Sequence, residues 1–67
     1  MDRAALIARK QEVRRQLQRA EAALFALENA ADPKRDRRRM AQLQQQIDQL
    51  MAEEYNLRLA IDRSPQG

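Results

Sequence analysis

The side chains of this chain that could take part in chemistry are ten carboxylates, thirteen Lys and Arg residues, Tyr55 and Ser64. There is no His and no Cys, which removes the commonest general base and metal ligand, the thiolate nucleophile, and any disulfide. Ser64 lies in a terminal Ser-Pro-Gln-Gly stretch that gives it no base to work with. The single Gly is Gly67, so a phosphate-cradling glycine loop has no residues to build it. Carboxylates and long cations spread around helices are the composition of solvated faces rather than of an acid–base constellation. The sequence therefore predicts a chain that is not an enzyme, with no catalytic residue, no metal and no cofactor.

Two charge features remain. Lys34, Arg35, Arg37, Arg38 and Arg39 form a basic run broken only by Asp36. Cations at a helix N-terminus oppose its dipole by about 0.3–1 kcal/mol each when exposed. A locally unfavourable choice of this kind can mark binding of nucleic acid phosphates or of an acidic protein surface. The competing expectation, and the one adopted, is a solvated tip whose arginines reach the last carbonyls of a preceding helix and Glu28. No aromatic residue interleaves the run to stack bases. The second feature is the pair Lys10 and Glu54, the only charges in otherwise apolar helical stripes. They could meet across a seam and specify its register, or each could carry its charge out to water.

The elements that position these groups follow from spacing. Asp2 is a plausible N-cap, and from it to Ala31 the chain has no Gly or Pro and is rich in strong helix formers. Its stripe is Leu6, Lys10, Val13, Leu17, Ala20, Leu24, Leu27 and Ala31, with spacings alternating four and three as in a heptad seam. A second stripe runs Met40, Leu43, Ile47, Leu50, Glu54, Leu57 and Ile61, ending before Ser64 and Pro65. Between them lies Asp32-Pro33, a capping residue followed by the residue favoured at the first helical position.

A continuous rod is excluded by phase. Ala31 and Met40 are nine residues apart, about 180° at 100° per residue, so a straight helix would carry the two stripes on opposite sides. Folding back at Pro33 brings them together, opposing Leu27 to Met40, Leu24 to Leu43, Ala20 to Ile47, Leu17 to Leu50 and Leu6 to Ile61. The expected fold is all-α, an antiparallel two-helix hairpin of coiled-coil type over residues 1–63. Helix 1 covers about 3–31, the turn about 32–35 and helix 2 about 33–62, and residues 64–67 form a flexible tail. Two helices bury little, and Ile7 together with Met51, Tyr55 and Leu59 forms a second apolar face outside the seam.

The expected function is therefore a small interaction, assembly or regulatory module. It would dock through Ile7, Met51, Tyr55 and Leu59 on a helical protein or on a second copy, completing a helical bundle such as a homodimeric four-helix bundle. The alternative is an RNA- or DNA-binding hairpin using the basic turn. A net charge of +3 permits an anionic partner without requiring one. Charged residues from Asp2 to Arg19 leave no apolar run for a signal peptide or a membrane span, and a cytoplasmic location is expected. In length, hairpin layout and mid-chain turn the chain is similar to the Rop-type plasmid RNA-binding hairpins and to small helical secretion chaperones. The similarity is one of architecture without a shared motif, so it carries over no functional residue.

Overall fold

In the computed structural model the described residues are 2–30 and 34–64. They form two helices, α1 (Arg3–Glu28) and α2 (Arg37–Arg63), packed side by side as a hairpin about 52 Å long and 14 by 13 Å across. The direction is antiparallel, since Arg3 Nη1 donates to the Ile61 carbonyl at 3.2 Å and Arg9 pairs with Glu53.

α1 starts where the sequence predicts. Asp2 is its N-cap, and the carboxylate oxygen Oδ1 accepts from the Ala5 amide at 2.7 Å, satisfying one of the amides that a helix start leaves without partners. Its end comes earlier than expected, at Glu28 rather than Ala31. The cause is Asn29: its backbone amide bonds to the Phe25 carbonyl at 3.1 Å and its side-chain Nδ2 bonds to the same oxygen at 2.8 Å. The Ala30 amide then bonds to Leu27 O in a tighter turn. A short amide side chain that competes for the last carbonyls closes a helix.

α2 starts later than expected, at Arg37 rather than Pro33. Residues 34–36 make a turn, in which the Arg37 amide donates to Lys34 O at 3.4 Å. The first α-type bond runs from Met40 N to Asp36 O at 2.9 Å. A start at Pro33 would place Lys34 and Arg35 as well as the later arginines in the positive first turns; starting at Arg37 leaves those two cations outside the helix. The predicted cap, Asp32, and Pro33 lie outside the described residues, as do Ala31 and residues 65–67. Asp36 stands at the N-cap position, with no side-chain capping bond.

The core is the middle of both predicted stripes: Val13, Leu17 and Ala20 from α1, and Leu43, Ile47 and Leu50 from α2. Leu24, Leu27 and Leu57 pack against it half-buried. Leu6, Lys10, Met40, Glu54 and Ile61 are half-buried as well, so every described stripe position faces the seam. Among the described residues no helix is long and apolar enough to cross a membrane.

Candidate functional site

The two flanks of the seam differ. On one, Arg9 ties α1 to α2 by a forked ion pair with Glu53, Nε to Oε2 at 3.0 Å and Nη2 to Oε2 at 2.7 Å. Gln16 and Ala23 are half-buried on this tied flank. There they line an open cleft of about 350 Å³ with Arg19, Arg39 and Gln46.

The opposite flank is open, and it carries the expected docking residues. Ile7 follows Leu6 of the α1 stripe by one position, and Met51 and Tyr55 follow Leu50 and Glu54 of the α2 stripe, so in an antiparallel pair all three turn to the same side. Ile7 is 37% exposed, Met51 56% and Tyr55 60%. Met51 and Tyr55 flank a shallow depression of about 240 Å³ with Glu54 and Arg58. Leu59, expected with them, lies further around α2 and is half-buried. Phe25 is the member that the spacing argument missed. It is 68% exposed and stands eighteen residues, five full turns, from Ile7, so the two point the same way. The signal was present: an aromatic one position off the seam of a two-helix hairpin has nothing to cover it.

The basic run lies where a solvated tip would be. Lys34, Arg35, Arg37, Arg38 and Arg39 are all exposed. The contacts expected for them, to Glu28 and to the last α1 carbonyls, are absent among the described residues; Asn29 takes the Phe25 carbonyl instead. Arg39 lines the cleft on the tied flank together with Arg19 of α1.

Lys10 and Glu54 do not form the ion pair that their positions allowed. Glu54 approaches Arg58 one turn along its own helix, at 3.7 Å, and the ion pair across the seam is Arg9 with Glu53. Both stripe charges are half-buried, long enough to bury their stems and carry the charge outward. On α1, Arg15 and Gln16 donate to Glu12 at 2.7 and 3.3 Å. These bonds, that of Arg15 first, hold the Glu12 carboxyl below its ordinary value.

The described residues contain no group of three or more His, Cys, Asp or Glu placed to hold a metal ion. No family model, no curated protein and no solved structure matches this chain.

Proposed function

We propose that the chain is a non-enzymatic helical-hairpin module that docks through its open flank, on a second copy or on another helical protein. The observation that carries this reading is the exposure of Ile7, Met51 and Tyr55 on one side of a fold in which the six buried residues, among those described, all lie in the seam. Large apolar side chains gathered on one side of a small surface mark a contact site rather than scattered exposure. Aromatic and Met side chains are also the types that interface cores favour. The test is the mass of the native particle in solution for the wild type, Met51→Asp and Tyr55→Asp. A particle heavier than one chain that falls to one chain in both variants supports docking through this flank. A particle unchanged in both overturns it. These positions serve better than Leu59, where half-burial would mix folding with docking.

The second reading, an RNA- or DNA-binding hairpin, draws on the exposure of all five basic residues of the turn and on the cleft that Arg39 lines together with Arg19. It predicts that changing Arg35, Arg38 and Arg39 to Gln abolishes retention of nucleic acid, which in the wild type falls steeply with salt.

A further inference from the structure

We infer that the occupant of the open flank is a second copy of this chain, stacked so that both turns lie at the same end and α1 of each copy lies over α2 of the other. The inference rests on the docking role proposed for this flank and names its partner and orientation. Three observations carry it. The first is area: the chain exposes 5399 Å², whereas a compact monomer of this mass exposes about 4,400 Å². The excess of about 1,000 Å² is the size of patch that one partner of a standard interface buries, about 800 Å².

The second is the asymmetry of the hairpin. On the open flank the residues one position beyond each seam residue, from Ile7 to Glu28 and from Ala41 to Asp62, are all exposed, while the tied flank, one position before each seam residue, is partly closed by Glu12, Gln16, Ala23, Glu53 and Ala60. Among the described residues the four large exposed apolar side chains, Ile7, Phe25, Met51 and Tyr55, all belong to the open flank. Among the described residues no side-chain bond joins the helices there, whereas Arg9 and Glu53 join them on the other flank.

The third is charge. The open flank carries both signs, which suits a copy of itself better than a strongly charged partner. The level of α2 against α1 is given by Arg3 beside Ile61 and Arg9 beside Glu53. With the twofold axis along the hairpin, this level places Glu28 beside the partner's Arg37 and Arg14 beside the partner's Asp48. Phe25 then faces the partner's Ala41, a small residue, and Ile7 lies near the partner's Tyr55. The opposite stacking, slid so that Ile7 meets the partner's Phe25, sets Asp48 against the partner's Asp48 and Arg37 beside the partner's Arg58. Like charges in contact disfavour that arrangement.

The chain has no Cys, so introduced thiols report without background. Chains carrying Phe25→Cys are mixed with chains carrying Ala41→Cys and treated with a short bifunctional thiol reagent, and the mixed pair should cross-link. Chains with Ile7→Cys mixed with chains carrying Phe25→Cys should not. Because Phe25→Cys removes an interface side chain, the orientation is read independently by charge exchange. Glu28→Arg should weaken the dimer about tenfold, two rim pairs being lost at once, and Arg37→Glu in the same chain should restore it. A single-chain mass at every concentration overturns the inference. So does a native particle containing a different protein, although docking through the flank would then stand. Cross-linking of Ile7→Cys to Phe25→Cys, or no rescue by the charge exchange, overturns the orientation.

Discussion

A charged residue in a helical seam is held by a partner across the seam, by a partner on its own helix or by its own reach to water; Lys10 and Glu54 do not pair across the seam, and Glu54 approaches Arg58 on its own helix. Sequence spacing identified both positions but could not tell these outcomes apart, because they depend on where long side chains end rather than where they begin. With no ion pair between them and Glu54 approaching Arg58 instead, Lys10→Leu and Glu54→Leu should change stability additively, within about 0.5 kcal/mol, in a urea-unfolding double-mutant cycle. Arg9→Ala and Glu53→Ala should instead couple by about 0.2–1 kcal/mol, and less at high salt. Glu12 supplies a pH signature. Its carboxyl is held below the ordinary 4.5 by Arg15 first and Gln16 second, so its contribution to stability is full above 4.5 and is lost as pH falls through the lower folded value. An NMR titration should find the Glu12 carboxyl depressed in the wild type and moved back toward 4.5 by Arg15→Gln.

At the scale of the helices, the stripes were legible and the ends were not. Stripe positions repeat over many turns and reinforce one another, so seven or eight residues fix the buried face. An end depends on one or two side chains competing for a few backbone groups. Pro33 drew the expected boundary toward itself, while Asn29 had already closed α1 through the Phe25 carbonyl and the crowd of cations delayed α2 to Arg37. Asp2 and Asp36 occupy matching positions with different bonding, and mutation should separate them. Asp2→Ala removes a capping bond of 2.7 Å and should cost about 0.5–2 kcal/mol. Asp36→Ala removes no such bond and should cost less, only the carboxylate's favourable place at the positive end of α2. Arg38→Glu should stabilise the helix by about 0.3–1 kcal/mol in the same thermal unfolding series, because it replaces a charge that opposes the dipole with one that matches it.

Over the whole molecule the core is short relative to the hairpin. Among the described residues the six that are buried span Val13 to Ala20 on one helix and Leu43 to Leu50 on the other, leaving the described parts of both ends held by half-buried contacts. Amides with few buried neighbours open locally at little cost, whereas those over the core exchange only in larger openings. Hydrogen exchange should therefore be slowest at Val13 to Ala20 and Leu43 to Leu50 and faster toward both ends. Concentration adds a second axis. A lone hairpin has the same protection at every dilution, but a hairpin covered by a second copy is stabilised by mass action. The added protection should be greatest where the single chain has least core and the partner supplies most apolar contact, around Ile7 and Tyr55 at the open end, and should disappear in Tyr55→Asp. If that end exchanged equally fast at micromolar and millimolar protein, the apolar flank would be contributing nothing to a self-contact, however exposed its side chains stand in the isolated fold.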